Sequence, residues 1–253
     1  KRNDGKPAQQ VFSTILGKSR YTKIRMFTAG NIIALSLIIY LASVIRGFTG
    51  FGLALVAVPL IQFIMPVSDT AVFIAIINMI FSILYFRRSR EIVKDQPLGR
   101  MALWTGIGVG AGTLVLKFIN PAYIQLAWGL LIIFIVTVLA RGVSFSIKSD
   151  ASAMTLSGLF GGLLAGATGI TGPPVAIILS AMKTPKAKFN ALISMFILFA
   201  VSYALIFYLV SGLINRETAL LALCSVPALV AGLRTGDFLV LKISQKTFTN
   251  IVY

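Results

Sequence analysis

The sequence predicts an all-α polytopic membrane protein: two homologous repeats of transmembrane helices, each interrupted by a glycine-rich broken or re-entrant half-helix. Three observations carry this. Hydrophobic residues make up 57% of the chain and charged residues 12%, whereas charged residues alone are about 25% of a soluble domain. Long apolar stretches alternate with short basic ones. A glycine-rich block, Arg46-Gly47-Phe48-Thr49-Gly50-Phe51-Gly52, divides the first apolar stretch and has an echo at Gly166 to Pro174.

At 253 residues and about 20 residues per crossing, there is room for about seven or eight spans and no separate soluble domain. The net charge of +16 lies mainly in the amino-terminal tail and between apolar segments, where the positive-inside rule places lysine and arginine. It therefore points to a lipid bilayer rather than nucleic acid, for which no basic and aromatic face is visible. The single Cys224 excludes an internal disulfide and reads as a small buried packing residue. There is no histidine, and the acids Asp4, Asp69, Glu91, Asp95, Asp150, Glu217 and Asp237 stand in a tail, in loops or near segment ends. An intramembrane proton relay or metal site needs such groups facing the bundle interior, so no metal and no cofactor is expected. Nor is a nucleophile with its base visible, which argues against an enzyme.

In chain order, residues 1–25 form a tail with seven cations against Asp4, expected to be cytoplasmic. It is either solvated or, through Val11, Phe12, Ile15 and Leu16, a short helix lying on anionic lipid. Residues 26–140 form the first repeat, with apolar segments Met26 to Ile45, Leu53 to Met65, Thr70 to Phe86, Met101 to Ile119 and Ala122 to Ala140. The piece from Leu53 reaches only about 20 Å at 1.5 Å per residue, too short for a core of about 30 Å, so it reads as a half-helix. The loop from Arg87 to Arg100 holds five cations and should be cytoplasmic.

Residues 141–150 link to the second repeat at 151–253, with apolar segments Ala151 to Ala165, Val175 to Met182, Asn190 to Ile214 and Thr218 to Leu233. Gly108-x-x-x-Gly112 followed by Leu-Val-Leu-Lys recurs as Gly232-x-x-x-Gly236 followed by Leu-Val-Leu-Lys; both glycine pairs read as close helix packing. The second repeat is expected to lack the last span that the first one has. Parallel and inverted repeats both remain open, because a parallel pair puts the cations Lys183, Lys186 and Lys188 outside and an inverted pair is common in transporters.

The second break, Gly166-Ala-Thr-Gly-Ile-Thr-Gly-Pro-Pro174, combines conformational freedom with paired prolines suited to a first helical turn. It reads as helix, open loop, helix start. Helix amino termini carry unpaired N–H groups and about half a positive charge, so they take anions. If the half-helices starting near Leu53 and Val175 meet, the breaks enclose one anion-sized pocket. Its candidate residues are Arg46, Thr49, Gly50, Phe51 and Gly52 with Thr168, Gly169, Ile170, Thr171, Gly172 and Pro173. Arg46 can grip an oxyanion bidentately, or it ends the first span in the headgroups, since twenty residues from Met26 complete a crossing. Asn78, Asn190 and Ser194 are secondary path-lining candidates, although helix-to-helix hydrogen bonding explains most such residues, Ser202 included. Arg234 and Asp237 are spaced for a local ion pair.

At these residues the chain resembles the sulfite exporter TauE/SafE family, also called the 4-toluene sulfonate uptake permease family. The likeness rests on Gly47-Phe-Thr-Gly-Phe-Gly52, on Gly169-Ile-Thr-Gly-Pro-Pro174, on the basic loop and on the Gly-x-x-x-Gly span. It covers about residues 30–245, and it departs from the pattern at Leu53 and Ala54, where members often carry further glycines. The resemblance implies a secondary carrier of sulfite, sulfonates or related small anions in the cell's inner or plasma membrane, and a homodimer is compatible with it. The competing reading is a membrane scaffold or assembly factor, with breaks that only permit tight packing and a tail that recruits lipid or an acidic partner.

Overall fold

The computed structural model describes residues 28–49, 52–140, 149–182 and 185–242. Every regular element among them is an α-helix: α1 (Ala29–Thr49), α2 (Leu53–Ile61), α3 (Val67–Ile92), α4 (Leu98–Phe118), α5 (Pro121–Ala140), α6 (Asp150–Thr168), α7 (Pro173–Ala181), α8 (Lys186–Val210), α9 (Arg216–Cys224) and α10 (Val226–Lys242). The tail, most of the 141–150 joint, Gly50, Phe51, Lys183 and residues after Lys242 lie outside the described part.

Among the described residues, six segments are long and apolar enough to cross a membrane: Ala29–Gly47, Val67–Leu84, Leu98–Phe118, Asp150–Thr168, Ala187–Val210 and Arg216–Gly236. Seven or eight were expected from length. The helices α2 and α7, nine residues each, reach only about 14 Å and cannot cross alone. Side-chain burial agrees with a lipid setting. On α1, Ile33, Leu37, Leu41 and Ile45 form an exposed stripe at four-residue spacing, while Leu35, Ile39 and Ala42 face the interior. Such a stripe repeated on several helices would be an aggregation hazard in water.

The packing is organised by glycine. The closest pair is α4 with α6. A Cβ on Gly108 would lie 2.8 Å from the Leu163 amide, and one on Gly112 would lie 2.7 Å from that of Ala167. In return a Cβ on Gly158 would lie 2.7 Å from the Met101 carbonyl and one on Gly162 2.6 Å from that of Thr105. Glycine on both helices brings backbone against backbone. The next pair is α10 with α1, where Cβ atoms on Gly232 and Gly236 would meet the backbone at Tyr40 and Val44. In both pairs residue numbers rise together along the contact, so α4 runs parallel to α6 and α10 parallel to α1. A third interface joins α3 to α8. Both Gly-x-x-x-Gly pairs therefore serve packing, as their spacing predicted, and each grips a helix that leads into a break.

Three sequence expectations need correction. Cys224 is exposed rather than buried. The last apolar stretch is two helices meeting at Ser225, because Pro227 has no N–H to continue the ladder from α9. Ser202 bonds within its own helix rather than across to another, whereas Asn78 does bond across helices, to Arg46. Thr105, Thr113, Ser202 and Ser225 donate to the carbonyls of Met101, Val109, Leu198 and Leu221, an i to i−4 habit of helical Ser and Thr. Across helices, Asn215 Nδ2 and Thr218 Oγ1 donate to Asp69 Oδ1 at 2.5 and 3.3 Å, tying the start of α3 to the amino terminus of α9. Arg234 is exposed, and the Asp237 side chain lies outside the described residues.

Candidate binding site at the helix breaks

Nothing between Arg46 and Thr49 forbids helix, and α1 continues through Arg46 to Thr49. The interruption is thus shorter than the sequence block. Gly52 takes φ 108° and caps α2, which begins at Leu53. A left-handed backbone of this kind is open to glycine and costly for other residues. The first ladder bond of α2 runs from the Val56 amide to the Gly52 carbonyl at 3.2 Å. The amides of Gly52, Leu53, Ala54 and Leu55 precede it, and all four carry a proton. The Thr49 side chain, Gly50 and Phe51 lie outside the described residues.

Arg46 is 2% exposed and points into the bundle. Its Nη1 donates to Asn78 Oδ1 at 2.6 Å, and its guanidinium carbon lies 3.5 Å from the centre of the Phe81 ring. Arg46 is therefore enclosed by protein rather than exposed on the helix surface. Guanidinium only donates, so Asn78 must turn its oxygen to Arg46 and its NH2 the other way. That Nδ2 is fully buried and has no hydrogen-bond partner. Ser82, one turn further along the same face of α3, and Ser43, one turn before Arg46 on α1, also hold buried hydroxyls without partners. Neither Phe81 nor Ser82 was singled out in the sequence. Their positions three and four residues after Asn78 were the available signal.

At the second break, α6 continues through Gly166 and Ala167 to Thr168. Gly169 ends it with φ 79°, its amide bonded to the Ala165 carbonyl at 2.8 Å. The Thr168 hydroxyl donates to the Leu164 carbonyl and accepts from the Ile170 amide at 3.4 Å. Ile170, Thr171 and Gly172 are buried. The helix α7 starts at Pro173, whose side chain is outside the described residues, and its first ladder bond joins the Ala176 amide to the Gly172 carbonyl at 2.9 Å. Pro173 and Pro174 have no N–H, so Gly172 and Val175 alone offer amides at this helix start.

The two breaks meet through α3. A Cβ on Gly169 would lie 3.3 Å from Ala71 Cα and 3.5 Å from Ile74 Cγ2. Positions 71, 74, 78, 81 and 82 fall on one face of a 3.6-residue helix. The second break therefore sits about 10 Å along α3 from Asn78. Asn190 and Ser194 are half-buried on α8. Tyr208, also on α8 and unremarked in the sequence, is fully buried and donates its hydroxyl to the carbonyls of Gly166 at 2.8 Å and Ala165 at 3.1 Å. An apolar stretch rich in phenylalanine gave no local signal for it.

Among known proteins, the family described as sulfite exporter TauE/SafE matches residues 35–253. No curated protein and no solved structure matches the chain.

Proposed function

Since the chain belongs to the sulfite exporter TauE/SafE family, whose members are membrane permeases rather than enzymes, we propose that it is a secondary transporter of small sulfur-containing anions such as sulfite or organosulfonates. The anion is held between the helix breaks. The observation that carries this reading is the cluster on α1 and α3: a buried guanidinium, a buried amide NH2 without an acceptor and the Ser82 hydroxyl. A guest that only accepts hydrogen bonds and carries negative charge complements it. An arginine at mid-membrane costs several kcal/mol, and an anion would offset that cost. Counted along α3, Asn78 is about 16 Å from Val67, half of a core of about 30 Å.

The two halves read as a duplication. Exchanging α1, α2, α3 and α4 for α6, α7, α8 and α10 converts the α4–α6 pair into α10–α1 and leaves α3–α8 unchanged. Residues 26–140 and 151–253 are then the repeats, and α2 and α7 are re-entrant half-helices. Because α2 is too short to cross, α3 runs opposite to α1, and α4 runs with it. The parallel α4–α6 and α1–α10 contacts then favour repeats of the same orientation, with the amino terminus and the 87–100 loop in the cytoplasm.

The test is sulfite- and organosulfonate-dependent thermal stabilisation of the purified protein, compared with Arg46→Ala, followed by sulfite flux in liposomes. Stabilisation of the wild type alone is expected. Equal shifts in both proteins would remove Arg46 from the site, and no shift with any oxyanion would count against the substrate class.

A further inference from the structure

We propose that Tyr208 is a positioning residue that holds the second helix break open from the neighbouring helix. In a continuous helix the Gly166 carbonyl would accept the Ile170 amide, four residues on. At the break the Ile170 amide turns instead to Thr168 Oγ1, which strips that carbonyl of its helical partner. Helix ends always leave carbonyls in this state, and water usually satisfies them; in a membrane interior protein must do so. The Tyr208 hydroxyl does it, 2.8 Å from the Gly166 oxygen and within reach of the Ala165 oxygen. The donor stands more than forty residues away on α8, in a side chain with no exposure.

Phenylalanine would fill the same volume without the donor. The α8 sequence uses phenylalanine at 189, 196, 199 and 207, and its other tyrosine, Tyr203, is only half-buried, so a fully buried hydroxyl is what distinguishes position 208. Its effect falls on Gly169 to Gly172, which continue from the capped turn and of which Gly169 lies against Ala71 and Ile74 of α3. Without the hydroxyl the Gly166 carbonyl is buried and unsatisfied. The segment then fluctuates toward any conformation that gives the carbonyl a partner, and the face it presents to a bound anion blurs. This role in transport rests on the reading that the second break borders the anion site.

The experiment compares the full-length wild type with Tyr208→Phe in detergent and in liposomes. Hydrogen–deuterium exchange without anion should be faster in Tyr208→Phe over residues 166–172 and unchanged over the rest of α6 and α8. Sulfite binding followed by thermal shift should weaken about tenfold, the scale of one lost hydrogen bond to a buried group, with a higher KM for flux and a smaller change in maximal rate. Unchanged exchange over 166–172 would overturn the proposal. So would a lower melting temperature with unaltered sulfite affinity in the folded protein, which is the mark of a purely structural tyrosine. If the wild type shows no sulfite response, the anion-site reading fails, while the exchange comparison still decides whether Tyr208 holds the break. Should the variant fold poorly, the same pair is compared in a Gly129→Ala background, where the added methyl meets open space.

Discussion

The first and second breaks share a design and divide its duties unequally. Thr168 stands 119 residues after Thr49, and the same offset sets Ala165 where the first break has Arg46. At the first break the helix start keeps four proton-bearing amides, and a buried arginine points across to Asn78 on α3. At the second, prolines delete two amides, Thr168 is occupied in capping its own helix, and Tyr208 satisfies a stranded carbonyl. The second break is thus self-sufficient in hydrogen bonds and the first is rich in donors. In the function proposed here, duplication supplies two frames, and the charge that selects an anion comes from one.

That division is open to attack by substitution, and the largest effect is expected at Arg46. Arg46→Ala should weaken sulfite binding on the order of 100-fold, the scale of truncating one partner of a buried charged hydrogen-bond pair, as read by thermal shift. Arg46→Lys should recover less than half of the lost binding free energy, since an ammonium cannot reproduce the planar fork.

Packing comes next. Gly166→Ala sets a methyl against the Val109 carbonyl and 3.0 Å from the Thr113 amide, so it should destabilise by about 1–3 kcal/mol in chemical denaturation. At Gly129 on α5 nothing lies within 4 Å; alanine there should stabilise by up to about 1 kcal/mol through helix propensity. Equal effects at the two glycines would refute the backbone contact between α4 and α6.

Thr168→Val is expected to be the mildest at the site. It loses a cap and should cost about 1 kcal/mol of stability while weakening sulfite binding no more than Tyr208→Phe does, because the Ile170 amide loses its acceptor but the cluster at Arg46 is untouched. A loss of affinity as large as that at Arg46 would return the second break to equal standing.

What could be read without coordinates follows the same line. Membrane residence is a property of composition, and the packing role of the Gly-x-x-x-Gly pairs followed from their spacing. Their partners did not, since a four-residue repeat of small residues states that a backbone comes close without saying whose. The ends of α1 and α6 lie beyond the positions where the glycine blocks begin, because single glycines are tolerated in a helix that tertiary contacts support. Arg46 was ambiguous for a physical reason. Counting residues locates an arginine along one helix, whereas its burial depends on what α3 sets opposite, and Asn78 is 32 residues away. Tyr208 was hidden more thoroughly, because its only task is a hydrogen bond to carbonyls on another helix. Cys224 erred in the other direction: apolar sequence marks the lipid-facing surface as readily as the core when the solvent is a bilayer.

The most direct measurement is sulfite-dependent thermal shift and liposome flux for Asn78→Asp. The substitution keeps the side chain's shape and gives Arg46 a permanent carboxylate partner in place of the anion. The protein should fold with an undiminished melting temperature, lose its sulfite response and carry no sulfite flux. A folded Asn78→Asp protein that still binds and transports sulfite as the wild type does would contradict the assignment of the anion to the Arg46 cluster.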